Sequence, residues 1–406
     1  MTLLLEEPTA ADEQRAQLLF KEARQRRRRL RFIWIAIVTT VVVSLISFGL
    51  VFNLWSSSVT RSVATNTQPG WPAHLRTGAT LVYAFDDLRV IDADSGRSRA
   101  LPLPAPSGGS GDLGMVSIGN SLLLNRGDTA WLYSPGIDGA PADLGPSDGV
   151  FTGPSRTEAW VWSQPCAPIL GCTNYNAPRM GSVQLIDSTG RKIGDPVTLP
   201  GDTGWYPTGL AGTAGIVLAE LPTYGDHGNE EELWNPLTNR VVRVFAHSYV
   251  IGASGNQIVW QSSAPYCKTG CSVHVLNVRT GSDRTVQLPR GVEATGDAAI
   301  SPDGSTIALT TALGGASRVP NPQAIFSIQA NDRIAKLVSG SEQMTNPNLG
   351  PMELSWSANG WLFSFVVGIT TVRAWRPGES RARSLPNVRT PKVTQLVNED
   401  PSLTAL

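Results

Sequence analysis

The sequence predicts an all-β domain built as a seven-bladed β-propeller, with six or eight blades also fitting the count, preceded by one transmembrane α-helix. Three observations carry this expectation. An apolar stretch without a charged residue runs from Phe32 to Trp55. The roughly 330 residues that follow its linker are dense in Gly, Pro and short β-type runs, with no stretch of helical period. Those residues also repeat a unit whose starts are separated by 41, 37, 57, 42, 49 and 55 residues.

The predicted helix comes first. A helix rises 1.5 Å per residue, so residues 32–55 would span about 36 Å against a hydrocarbon core of roughly 30 Å. Residues 1–31 form a short basic head with eight Lys+Arg against five Asp+Glu, ending in Arg26, Arg27, Arg28, Arg29 and Arg31. The positive-inside rule then places the head in the cytoplasm and the C-terminal domain outside. Trp34 and Trp55 lie near the ends of the span, where aromatic rings favour the headgroup zone. A cleaved signal peptide is the competing reading, but its apolar core is shorter, and Ser62-Val63-Ala64 lies well past the run. Residues 56–74, rich in Ser, Thr, Asn and Pro, read as a flexible stalk. The propeller is expected over 75–390 and a C-terminal tail over 391–406.

Each repeat contributes an apolar strand after a polar or glycine turn: Leu81-Val82-Tyr83, Leu122-Leu123-Leu124, Ala159-Trp160-Val161-Trp162, Ile216-Val217-Leu218, Ile258-Val259-Trp260, Ile307-Ala308-Leu309 and Leu362-Phe363-Ser364-Phe365. A second strand, a tight turn and a third strand follow, as in Val90-Ile91-Asp92-Ala93-Asp94-Ser95-Gly96 and Leu276-Asn277-Val278-Arg279-Thr280-Gly281. Gly or Asn in the turn supplies the positive φ that hairpin turns need. Several third strands end in Leu-Pro, where a residue without an N–H is tolerated. A period of 40–50 residues with about four short strands is the propeller signature. The first unit lacks an innermost strand, and the other end of the chain is the expected source of it.

Ile300-Ser301-Pro302-Asp303-Gly304-Ser305-Thr306-Ile307-Ala308-Leu309 resembles the repeat signature of TolB-type and WD40-like propellers, and Trp356-Ser357-Ala358-Asn359-Gly360-Trp361-Leu362 is a weaker copy. The resemblance implies the fold and says little of activity. The sialidase Asp-box spacing and the WD40 Gly-His and Trp-Asp marks are absent.

Four cysteines form two close pairs, Cys166 with Cys172 and Cys267 with Cys271, each between the second and third strands of its blade. Outside the membrane each pair is expected to form a local disulfide, and a four-Cys zinc site has the wrong spacing. The same connection is long in the fourth and sixth units, so four consecutive units carry enlarged loops on one end of the ring. Tyr175, Trp205, Tyr206, Tyr224 and Tyr266 lie on or beside these loops and form the expected binding face. Loops that merely drift in length are the plainer explanation.

Composition narrows the function classes. The chain is balanced, with 33 Lys+Arg and 33 Asp+Glu, which argues against nucleic acid as a partner. Only five of the 33 basic residues are Lys, an Arg bias that suits a GC-rich bacterial genome. No nucleophile–base constellation and no phosphate-binding glycine loop is present in the spacing, and no cofactor is expected. The expected role is a membrane-anchored scaffold holding a protein or cell-envelope ligand. The alternative is a propeller-type hydrolase or lyase with an acidic and His site at the channel mouth. Asp226, His227 and Glu230 would carry that site, with a metal as one option, although they match no known loop spacing.

Overall fold

In the computed structural model, the described residues are 76–84, 87–104, 113–134, 140–164, 181–200, 205–220, 230–262, 271–313, 321–345, 352–366, 371–389 and 402–405. They all lie within one of two compact units, Pro69–Leu406. Residues 1–75, with the expected basic head, membrane helix and stalk, fall outside the described residues. Among the described residues no helix is long and apolar enough to cross a membrane.

The chain folds as a seven-bladed β-propeller. Seven antiparallel sheets each have a path of four strands, and that of blade 6 carries an extra short strand, Gln343–Thr345. The innermost strands of blades 1 to 7 are Ser402–Ala405, Gly114–Ile118, Gly149–Thr152, Trp205–Gly212, Ser248–Ser254, Val292–Ile300 and Met352–Trp356. Each contacts the innermost strand of the next blade, and the last contacts the first, so the ring is closed. The apolar strand that opens each repeat in the sequence is the second strand of its blade.

Closure comes from the C-terminal segment. Ser402–Ala405, within the segment read as a tail, pairs antiparallel with Thr80–Ala84, Leu81 lying opposite Ala405. Blade 1 therefore takes its innermost strand from the other end of the chain.

The core is divided among the seams between blades. Seven buried clusters occur, each drawn from two neighbouring blades. A strand presents alternate residues to opposite faces, and both faces of a blade are covered. Thus Ile216 and Leu218 pack against blade 3, and Val217 between them packs against blade 5. This double burial is why the second strands are apolar without alternation.

The turn of blade 6 explains its signature. Gly304 adopts φ +72°, the left-handed region that glycine occupies without strain. The Ser301 hydroxyl donates to the Asp303 carboxylate at 2.6 Å and accepts from the Thr306 N–H at 2.9 Å. Blade 7 repeats the device, with Ser357 donating to Asn359 at 2.6 Å and Gly360 at φ +82°.

Candidate functional site

Hairpin turns between first and second, and between third and fourth, strands lie at one end of the ring. The second-to-third connections and the links between blades lie at the other, hereafter the loop end. Its long connections, residues 165–180, 221–229, 263–270 and 314–320, fall outside the described residues. Tyr175, Tyr224, Tyr266, Asp226, His227, Cys166, Cys172 and Cys267 lie in them and are likewise outside. Cys271 is described: it is buried and disulfide-bonded, with a partner outside the described residues.

Of the other expected site residues, Trp205, Tyr206 and Glu230 are described, all at the loop end of blade 4. Trp205 opens the innermost strand of blade 4, and its partly buried ring packs into the cluster between blades 3 and 4. Tyr206, the next residue, is 36% exposed. Glu230 opens the third strand of blade 4 and is half-buried. Among the described residues no group of three or more His, Cys, Asp or Glu is placed to hold a metal ion.

A feature the sequence reading missed lies on the innermost strands. In blades 1, 2, 3 and 7 these strands pair in unbroken register with their neighbours. In blades 4, 5 and 6 they are bulged. Pro207 lies opposite Leu218 and Ala211 opposite Ile216, so four steps on one strand face two on the other. Ala294 and Ala298 stand in the same relation to Thr311 and Leu309. Blade 5 has a smaller bulge between Val250 and Gly252. Each bulge opens at the third residue of its strand, counted from the loop end, so the three form one layer around half of the ring.

Extra residues must bow away from the paired strand, and beside an innermost strand the open space is the central channel. Gly209 shows this: at φ +91°, a Cβ built there meets nothing within 4 Å. Hydroxyls tie the bulges back to the second strands. Thr208 donates to the carbonyl of Val217 at 3.2 Å, and Thr310 donates to that of Asp297 at 3.3 Å.

Asp297 is the charged residue of this layer. Its side chain has no hydrogen-bonding or ionic partner among the described residues, and burial pushes its carboxyl up to about 6. By surface area the residue is exposed. The two observations fit a group on a narrow channel wall, which touches water while protein surrounds it.

Carboxyl groups divide by position. Those pushed up by burial are Asp148 and Glu231, at the loop end of blades 3 and 4, and Asp297, midway along the innermost strand of blade 6. Asp148 accepts from the Gln164 N–H at 2.6 Å. Glu231 is pushed up to about 7 and accepts from the Val250 N–H, where the blade 5 bulge begins, at 2.5 Å. Carboxyls held below their usual range lie in the hairpin turns at the opposite end, among them Asp92, stabilised by the Ser95 N–H, and Asp303, stabilised by the Ser301 hydroxyl. None of the seven innermost strands contains Lys, Arg or His.

One sequence signal could have found the layer. Thr208-Gly209-Leu210-Ala211 and Thr295-Gly296-Asp297-Ala298 share a Thr-Gly-X-Ala pattern at matching positions of blades 4 and 6.

No family model matches the chain, and no curated protein matches it in sequence. Among solved structures, a Bacteroides fragilis protein named as a candidate 6-phosphogluconolactonase is 11% identical, covering 81% of this chain and 99% of its own, with a TM-score of 0.45. An oligogalacturonate lyase in complex with manganese is 13% identical, covering 75% of this chain and 85% of its own, with a TM-score of 0.47. A puromycin-hydrolyzing peptidase of Mycobacterium tuberculosis is 14% identical, covering 77% of this chain and 54% of its own, with a TM-score of 0.49.

Proposed function

We propose that the propeller is a hydrolase- or lyase-type domain whose site is the bulged channel wall of blades 4–6. Asp297 is the proton-transferring group in this reading. The observation that carries it is the position of the Asp297 carboxyl, without a described partner, on a channel-facing bulge. A carboxyl near 6 is poised to exchange a proton close to neutral pH, and bulges of this kind re-aim side chains next to active sites. The absence of basic residues from the innermost strands favours a neutral or cationic substrate. Asp226, His227 and Glu230 remain part of the proposal as groups of the adjoining loop end.

The remaining readings from sequence belong to the same proposal. Residues 32–55 anchor the chain with its head in the cytoplasm, the short Cys166–Cys172 and Cys267–Cys271 pairs stiffen loops, and the turn signature reflects kinship with TolB-type repeats. A scaffold for a protein or envelope ligand is the second reading, favoured by the exposed Tyr206 at the loop end.

The test is to assay the full chain against a panel of neutral and cationic esters, amides, lactones and glycosides. Turnover lost in Asp297→Asn, with the fold and thermal transition retained, is the expected result. Turnover unchanged in that variant, or no turnover across the panel together with a captured protein partner lost on Tyr206→Ala, would give the scaffold reading precedence.

A further inference from the structure

A cavity lies at the opposite end, in the seam between blades 5 and 6. Its volume is about 250 Å³. Val275, Ile307 and Ile328 form apolar wall, and Asn277, Ser282 and Arg284 present polar groups. These residues come from well-paired strands and tight turns, so the cavity is framed by rigid elements.

Arg284 gives the cavity its character. Its Nη1 donates to the carbonyl of Asp332 at 2.8 Å and its Nη2 to that of Gln329 at 3.0 Å, both on the third-to-fourth turn of blade 6. Two main-chain acceptors from one turn fix the guanidinium in place without neutralising it. The carboxylate of Asp332 is taken up by Lys336 at 2.6 Å and by the Gln329 N–H at 2.9 Å. Arg284 makes no contact ion pair among the described residues; burial depresses its pKa, and the nearby Asp332 carboxylate, already held by Lys336, offsets that only in part. A preorganised cation of this kind, with donor capacity left over, is what binds a carboxylate.

The neighbours add donors. The Asn277 carbonyl oxygen accepts from the Thr280 N–H at 3.1 Å, which leaves its amide NH₂ without a partner among the described residues. The Ser282 hydroxyl is likewise without one. Both residues line the same cavity as Arg284. The cavity also holds one acceptor, the buried Gln257 Oε1, whose Nε2 already donates to the Gly304 carbonyl. Donors at one edge, this acceptor and an aliphatic wall suit a ligand with a carboxylate head and a hydroxyl on a short carbon body better than a bare inorganic anion.

We propose that this seam cavity is a binding site for a small organic carboxylate, held through Arg284, Asn277 and Ser282. It is separate from the channel wall and independent of the activity proposed there.

Calorimetric titration of the full chain with L-malate tests it, with glucose and inorganic phosphate as comparisons. The expected result is saturable malate binding, tighter than either comparison and at least about tenfold weaker in Arg284→Gln, the loss of one charge-assisted contact. Ser282→Phe fills the cavity from an exposed strand start and leaves the Arg284 carbonyl contacts in place, so it decides the matter should Arg284→Gln not fold. Malate binding no tighter than glucose or phosphate, or a folded Ser282→Phe variant that binds malate like the parent, overturns the proposal.

Discussion

The carboxyl of Glu231, in the third strand of blade 4, accepts a hydrogen bond at 2.5 Å from the main-chain N–H of Val250, in the innermost strand of blade 5. Gln323 does the same two blades on, accepting from the Met352 N–H at 3.1 Å. A side chain from one blade thus satisfies the free inner edge of the next. Glutamine does this without charge, whereas glutamate brings a buried carboxyl raised to about 7.

Stability should therefore depend on pH at Glu231. The folded state holds this proton more tightly than the unfolded chain, where the group titrates near its ordinary 4.5. Its contribution is full below about 4.5 and is lost as pH rises to about 7. Glu231→Gln removes that loss. The variant should exceed the parent at pH 8 by on the order of 2–3 kcal/mol and match it near pH 4. Denaturant titrations of both proteins at the two pH values check this.

Asp297 should titrate unusually high for an aspartate while remaining open to solvent. Carboxyl-carbon shifts in protein labelled at aspartate should show a midpoint near 6, and Asp297→Asn should remove that resonance without lowering the thermal transition. A midpoint at or below 4 would mean that the channel wall does not desolvate the group.

At Gly252, blades 5 and 6 approach closely. A Cβ there would lie 2.3 Å from the carbonyl oxygen of Ala298 and 2.7 Å from its Cβ. Since the obstacle is largely backbone, Gly252→Ala should destabilise by about 3 kcal/mol or more. Gly255→Ala meets nothing within 4 Å but requires φ +54°, so about 1 kcal/mol is expected there. Parallel melts of the two variants separate the effects.

Removing residues 402–406 should expose the inner edge of Thr80–Ala84, which carries the buried Leu81, Val82 and Tyr83. The expected outcome is a lower and broader thermal transition, with hydrogen exchange accelerated first in blade 1.

How legible the molecule is in its sequence depends on which strand is considered. Second strands such as Leu122-Leu123-Leu124 stand out because both faces are buried at 0% exposure. The Ser301–Gly304 turn stands out because its residue types are demanded by a positive φ and a hydroxyl–carboxylate contact. The innermost strands are quieter. Pro207-Thr208-Gly209-Leu210-Ala211 carries no period because bulging breaks the two-residue alternation. Asp297 stands out in no sequence pattern, and only the register shift between Ala294 and Ala298 shows that it belongs to a bulge. Trp205 shows how little an aromatic beside long loops says by itself: its partly buried ring also packs into the cluster between blades 3 and 4. The Arg284 cavity is made by two blades, and no local pattern announces a seam.

Pairing of Leu81 with Ala405 also has a consequence during synthesis. While residues 402–405 are still within the ribosome, the strand Thr80–Ala84 has no inner neighbour, although blades 2 to 6 can already be complete. A nascent ring must then wait with one hydrogen-bonding edge bare. That edge is the natural place for a chaperone to dwell, and for two unfinished chains to pair by mistake.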